Sequence, residues 1–384
     1  AGASTDLAAV SDEAVLAANR DTSGYVVYRC RAGDTCGGWG DRFAGLIGTA
    51  FLAISMGRAF RIDASWLRQL FRDAVQELPW AYDVDALGIG SDDRAVLERP
   101  SVRHDGYRVP FPDPAFDGLS GDVAVLNTLN SLRFRRPAAQ AEFARHRVLH
   151  VVGNRGLSAE WYSRWAATRG NQSRWQRTHG WAAAYRCLWS MLFAPTGSFL
   201  QEEVAMLNGS SMPLQSLLST FGSTNTFGIA IQLRAFDGSS SRPVNIRADF
   251  WKHCLENVTR QYARGRKSIL VVISNSELAG HEAGRFFRRR GGPFSELWTH
   301  QLAGYRHTDH SYRRGPEDPG QAALAFRHSM IDWLLMAHAD VLVFDVTSGF
   351  PGSAAFAAPS GQVQYGLFTC ERRLRGGVHP ELCA

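Results

Sequence analysis

The sequence predicts an α/β protein built as two Rossmann-like domains facing each other across a cleft, and three observations predict it. At 384 residues the chain exceeds the usual size of one hydrophobic core, so two domains are expected. Between Tyr25 and Asp63 a strand pattern, a glycine-rich turn, a helical apolar run and a second strand pattern follow in order. That is a βαβ unit, and it implies a parallel sheet. From residue 227 onward the same alternation returns, without any repeat of short period.

Each element has its own signal. YVVYR (25–29) is rich in aromatic and β-branched residues and reads as a strand. CRAGDTCGGWGDRFAG follows as a glycine-rich turn, and FAGLIGTAFLAISMG (43–57) has helical apolar spacing with Gly57 as its stop. AFRID (59–63) is the returning strand. VAVLNT (123–128) and RVLHVVG (147–153) read as strands, and 160–207 as buried helices rich in Trp, Ala and Leu. Ser, Gly and Asn concentrate in 208–225, which sets the expected boundary between domains 1–222 and 223–384. In the second domain FGIAIQLR (227–234) is a strand, DFWKHCLENVTRQYARG (249–265) a helix and KSILVVIS (267–274) a strand. HEAGRFFRRRGG is helical or irregular, with its arginines a solvated face. QAALAFRHSMIDWLLMAHA (321–339) is a helix, and DVLVFDVTSGFPGSAAFAA (340–358) a strand, a turn and a helix start.

Composition narrows the function classes. The chain is 45% hydrophobic and 20% charged, with net charge +6 and a pI near 9.1. Arginine is dispersed through folded segments rather than gathered into a tail, so a nucleic-acid partner is not expected. The six cysteines, Cys30, Cys36, Cys187, Cys254, Cys370 and Cys383, include no CxxC pair, which argues against structural zinc. Their even number, with sequons at Asn171, Asn208 and Asn257, favours an oxidising secretory compartment. No apolar run approaches a membrane span, and the opening AGASTDLAAV reads as a trimmed start with room for an anchor ahead of it.

Ligands of open α/β sheets sit beyond the carboxyl ends of the strands, and three such ends carry distinctive residues. GGWGDRFAGL (37–46) combines glycines with a helix N-terminus that suits an anion, but it lacks the dinucleotide and P-loop spacings. TFGIAIQLRAFDG (226–238) ends an apolar strand in Arg234, whose planar fork can hold a phosphate through two parallel hydrogen bonds. Gln232 alternates onto the face of Arg234, and Asp237 follows in the loop. In DVTSGF (345–350), Thr347, Ser348 and Gly349 form a strand–helix turn that can cradle a phosphate. VISNSE (272–277) offers the small polar Ser274, Asn275 and Ser276 to a base or ribose. No G-x-S-x-G elbow is present, so a Ser-His-Asp hydrolase is not supported.

Three of these blocks, in this order, resemble the fucosyltransferase superfamily. The segment from YVVYRC through GGWGDRFAGLIGTAFLAISMGRAFRID is similar to its N-terminal strand, glycine loop, helix and strand. IAIQLRAFD resembles the plant xyloglucan branch, and FRHSMIDWLLMAHADVLVFDVTSGF the third shared block. The rhizobial nodulation branch shows the same N-terminal motif. The resemblance implies a GT-B-type fold and an inverting, metal-free transfer of fucose from GDP-fucose to a glycan or glycoprotein hydroxyl.

It implies roles residue by residue. Arg234 matches the arginine on the donor's β-phosphate, and Gln232 takes the place of a histidine found in several branches. Asp332 matches the helix aspartate of the third block, and Ser348 the serine on the phosphates. Gly38, Gly40, Asp41 and Arg42 match the N-terminal loop. Ser274 and Asn275 stand where members often place acidic residues, which is a departure. The acceptor hydroxyl needs a base, with Asp237 the first candidate and Asp41 the second.

The expected partners are therefore a nucleotide sugar and a glycan acceptor. The first domain is expected on the acceptor side and the second on the donor side. The expected place is the Golgi lumen, as the lumenal part of a type II membrane protein. A catalytically silent glycan-binding relative, or a transferase for another nucleotide sugar, remains the alternative.

Overall fold

The structure is a computed structural model, and it describes residues 24–30, 39–56, 58–63, 116–119, 122–127, 145–152, 197–207, 210–221, 223–233, 248–274, 277–290, 294–299, 319–345, 349–358, 362–367 and 370–373. The chain divides into two compact units. One comprises Ala1–Arg72, Glu77–Leu192 and Glu381–Ala384, the other Asp73–Gln76 and Phe193–Pro380. Each is an α/β unit on a largely parallel sheet, the fold class expected from the sequence.

In the first unit, β1 (Tyr25–Arg29) lies between β2 (Ala59–Asp63) and β5 (Val148–Val152), parallel to both. β4 (Val123–Asn127) continues the parallel sheet, and β3 (Phe116–Leu119) closes the edge antiparallel to β4. Val27, Val123, Val125, Val148 and Val152 form a core cluster of this sheet. Helix α1 (Trp39–Met56) packs on β1 and β2, burying Phe43, Leu46, Ile47, Ala50 and Ala53 at helical spacing. It starts a turn earlier than its apolar run predicts, because the burial of Arg42 and Phe43 continues the packed face toward the N-terminus.

The second unit opens with α2 (Gly197–Glu202) and a hairpin of β6 (Val204–Leu207) and β7 (Ser210–Pro213). Residues 204–207 are thus a strand, where the sequence suggests helix. Asn208-Gly209 stands between the two strands, a dipeptide that favours hairpin turns. Burial holds the carboxyl of Glu203 above the usual carboxylate range, against the opposing pull of Arg327 at 3.3 Å.

Helix α3 (Leu214–Phe221) then lies on β8 (Thr226–Leu233). Residues 193–222, assigned to the first domain by composition, fold with the second unit. The reason is packing. Gly228 of β8 leaves room for the ring of Phe221, which also meets Trp298 edge-on at 5.7 Å. A Cβ at residue 228 would stand 2.0 Å from that ring.

The six-stranded sheet of this unit runs β10-β9-β8-β11-β12-β13. Its members are β9 (Lys267–Ser274), β10 (Glu296–Thr299), β11 (Val341–Phe344), β12 (Val363–Gly366) and β13 (Arg372–Arg373). All pair in parallel except β13. Phe227, Ile229, Ile231 and Leu233 alternate onto one face of β8. There they join Cys254, Leu255 and Val258 of α4 (Ala248–Tyr262) and Ala283 and Phe287 of α5 (Glu277–Arg290). The other face carries α3 and α6 (Pro319–His338), on which α7 (Gly349–Ala357) stacks.

At the amino ends of the central strands, Arg266 donates to the carbonyls of Tyr262, Ala263 and Thr226 at 3.1, 3.2 and 3.1 Å. It also pairs with Asp340 at 3.3 Å and covers the ring of Phe227 at 5.0 Å. Asp340 in turn accepts the backbone N–H of Gly228 at 2.8 Å. The turn into Arg266 is made by Arg264 and Gly265, both at positive φ.

A disulfide joins Cys254 of α4 to Cys370, 116 residues apart. Cys370 is therefore bound to Cys254 rather than to Cys383, which flanks the nearest glycine-rich segment, and Cys30 is also disulfide-bonded. Beside the bridge the hydroxyl of Tyr365 donates to that of Tyr262 at 3.3 Å. Burial first, and this bond second, push the Tyr365 phenol up to about 12.

Two stability outcomes follow. Gly228→Ala lowers unfolding stability by roughly 1–3 kcal/mol through overpacking against Phe221, and adding Phe221→Leu recovers part of the loss in urea titrations. Replacing Cys254 and Cys370 together by serine costs about 2–4 kcal/mol relative to the oxidised parent. Reduction of the parent, which also opens the bridge of Cys30, lowers its melting temperature at least as far as the double substitution does.

Candidate functional site

The connectivity of the second unit marks one place on its sheet. From β8 the chain passes through α4 to β9 and through α5 to β10, moving outward on one side. It then returns through α6 to β11 on the opposite side of β8, and through α7 to β12. The direction of winding therefore reverses between β8 and β11. Open α/β sheets bind ligands outside the carboxyl ends of the strands at such a reversal.

β8 ends at Leu233 opposite Ser274, the last residue of β9. On the other side Val343 is in register with Ile231, so Gln232 and Phe344 follow one residue further along their strands. Every residue of β8 is buried, because the strand has a neighbour on each edge and helices on both faces. Gln232 is consequently only 5% exposed, although it is polar and one residue from the strand end. Its Oε1 has no hydrogen-bond partner. Asp345, immediately beyond β11, is buried as well, and Ser274 is half-buried.

Helix α7 is anchored so that its first residue, Gly349, begins four positions after Asp345. The indole N–H of Trp333 on α6 donates to Ser353 Oγ at 3.0 Å, and that hydroxyl donates to Phe350 O at 2.7 Å. Gln364 of β12 holds the helix from the other side, with its Nε2 on Ala355 O at 3.2 Å. The helix N-terminus, with its positive dipole end, thus follows the strand that borders the reversal. Asp332, buried next to Trp333 on α6, belongs to the same packed layer.

The first unit has a comparable reversal at β1, with β2 on one side and β5 on the other. Arg29, the last residue of β1, is buried and in register with Asp63 and Val152. His150 lies 3.8 Å from Asp63, and Arg42 in the first turns of α1 is buried too.

Of the residues singled out from sequence, Gln232 and Ser274 come together on adjacent strand ends, and Gly349 opens α7. Asp332 lies one helix back from them, on α6. Gly40, Asp41 and Arg42 stand in helix α1 of the first unit rather than in a loop. Arg234, Asp237, Gly38, Asn275, Thr347 and Ser348 lie outside the described residues. Sequence reasoning missed Asp345 and the buried group of Arg29, Asp63 and His150. Asp345 carries a legible signal, a carboxylate straight after the apolar run VLVF. His150 carries none, being one polar residue within a strand pattern.

No protein-family model matches the chain, and no curated protein matches it in sequence. Solved structures do match. A mutant of FUT1 from Arabidopsis thaliana, in complex with GDP, aligns with a TM-score of 0.56 at 14% identity, over 93% of this chain and 74% of its own. The chain shares the FUT1 fold. Fucosyltransferase NodZ from Bradyrhizobium aligns with a TM-score of 0.45 at 12% identity, over 91% of this chain and 97% of its own. The apo form of POFUT1 aligns at 0.37 and 11% identity, over 88% and 95%.

Proposed function

We propose that the chain is an inverting, metal-independent glycosyltransferase that moves fucose from GDP-fucose to a hydroxyl of a glycan or glycoprotein. One coincidence carries this reading. In a chain that shares the fold of a GDP-bound FUT1, two superfamily-like motifs fall on β8 and β11, the strands that border the winding reversal. The second domain then takes the donor and the first the acceptor, in a GT-B division of labour. The Cys254–Cys370 bridge supports an oxidising compartment, and we place the chain in the Golgi lumen as a glycoprotein.

The chemistry follows from charge. As the sugar becomes oxocarbenium-like, negative charge grows on the β-phosphate of the leaving GDP. Without a metal, fixed donors must meet that charge. Arg234, directly after β8, supplies a two-pronged guanidinium, and Thr347, Ser348 and the start of α7 at Gly349 supply hydroxyls and backbone N–H groups. Gln232, Ser274, Asn275 and Asp332 serve the donor from the same unit, and Gly38, Gly40 and Arg42 from the first. The acceptor hydroxyl is relieved of its proton by Asp237, or failing that by Asp41.

A thermal-shift comparison of GDP, UDP, CDP and ADP tests the donor class, with stabilisation by GDP alone expected. A response to UDP would reassign the donor, and silence toward all four would point to a glycan-binding relative. Arg234→Ala is expected to lose about 10²–10³ in turnover with its melting temperature unchanged. Arg234→Lys should recover little of it, since a single ammonium lacks the fork. Near-normal turnover of a folded Arg234→Ala protein would remove this residue from the chemistry.

A further inference from the structure

Helices α4 and α5 cover one face of the second unit's sheet, and both end at the amino ends of its strands, away from the carboxyl ends where ligands of such sheets sit. Their apolar residues, Cys254, Leu255, Val258, Ala283 and Phe287, are turned into the core. Their outward side chains are one-sided in charge. Arg260 on α4, Arg264 just past its end, and Arg285, Arg288 and Arg289 on α5 are all exposed. Among the described side chains of the two helices the carboxylates are Glu256 and Glu282, both half-buried. Most of the guanidinium charge stays unbalanced whichever way those two pair.

Local structure explains only part of this. Cations in the last turn of a helix complement its dipole, which suits Arg260, Arg288 and Arg289. That effect does not reach Arg285, which meets Arg288 and Arg289 at i+3 and i+4, a like-charge spacing that destabilises a helix. Arg264 stands at φ 49°, where glycine or asparagine is the favoured residue. Arg260 donates to the Asn257 amide at 3.2 Å, a partner without charge. Other cations at these strand ends are matched, Arg266 by Asp340 at 3.3 Å and Lys267 by Glu296. The fold neutralises the cations that it uses and leaves the outer layer positive.

We propose that this layer is a docking surface for an acidic polysaccharide, whose sulfate or carboxylate groups pair with the arginine forks. Two other polyanions fit it less well. Helices that lie on membranes carry bulky apolar residues beside their basic ones. Here the exposed large hydrophobic residue among the described ones is Val204, on β6 rather than on either helix. Nucleic acid belongs to compartments that keep thiols reduced, whereas α4 is tied down by the Cys254–Cys370 bridge. Acidic polysaccharides are polyanions of oxidising compartments, and a guanidinium meets such a group through two parallel hydrogen bonds. The inference goes beyond the transferase reading and stands or falls separately, since the surface lies away from the carboxyl ends of β8 and β11.

Arg285→Gln with Arg289→Gln tests this against Arg145→Glu, which changes the net charge equally at an exposed site of the first unit. Binding of dextran sulfate, polygalacturonate and neutral dextran to the full chain is followed by titration calorimetry in low and moderate salt, with and without GDP. The parent is expected to bind at least one acidic polymer, to ignore neutral dextran, and to bind more weakly as salt rises. The double variant should lose roughly tenfold in affinity with an unchanged or raised melting temperature, while Arg145→Glu loses little. Equal losses in the two variants overturn the proposal, since net charge alone would then carry the binding. Competition by GDP also overturns it, because the polymer would then occupy the donor edge. A parent that binds neither acidic polymer overturns it too, whether or not it holds phosphatidylserine vesicles or single-stranded DNA. A parent that binds dextran sulfate through these arginines yet never responds to GDP upholds the surface and counts against the transferase reading alone.

Discussion

The second unit is organised around one charged contact, that of Arg266 with Asp340. Arg266 collects the free carbonyls at the end of α4, a carbonyl of β8 and a carboxylate, while its flat face rests on Phe227. Asp340, the residue before β11, spends its second oxygen on the backbone of Gly228. Helix α4, strand β8 and strand β11 are therefore fixed to one another at the amino end of the sheet. Both side chains are about a third exposed, at 30% and 31%, so the pair's value lies less in Coulomb energy than in geometry. With the amino ends clamped in register, the carboxyl ends of β8 and β11 stop side by side at the winding reversal.

That edge is assembled from parts with separate reasons to be where they are. The reversal of winding comes from topology alone. The start of α7 comes from the hold of Trp333 and Gln364 on its first two turns. Gln232 comes from strand alternation, which turns its apolar neighbours toward α4 and α5 and leaves the amide on the α6 side.

Much of this is legible in the sequence, for identifiable reasons. Strands such as KSILVVIS stand out because a central parallel strand is apolar on both faces, and the boundaries of β9 match the pattern. The α1 helix is visible through its spacing, but its start is not, since a glycine loop and a glycine-bearing first turn look alike until Phe43 has something to pack on. The hairpin of β6 and β7 is hidden because VAML of β6 is apolar throughout and continues a helical pattern, while SSMP of β7 is short and partly polar. Its Asn-Gly reads equally as linker chemistry. The domain boundary moves because a Ser-rich segment gives no hint that Phe221 finds a glycine opposite it. Within the site, alternation picks out Arg234 and Gln232. The orphan state of the Gln232 carbonyl is a property of packing, and no pattern of letters carries it.

The Cys254–Cys370 bridge has a consequence for how the chain would break. Strands β9, β10, β11 and β12, with helices α5, α6 and α7, all lie between the two half-cystines. A protease that nicks any connecting segment in this span cannot release either piece. The cut molecule would migrate as one under oxidising conditions and as two after reduction. Damage to the second unit would thus stay covalently joined, with both sides of the winding reversal still held in one body.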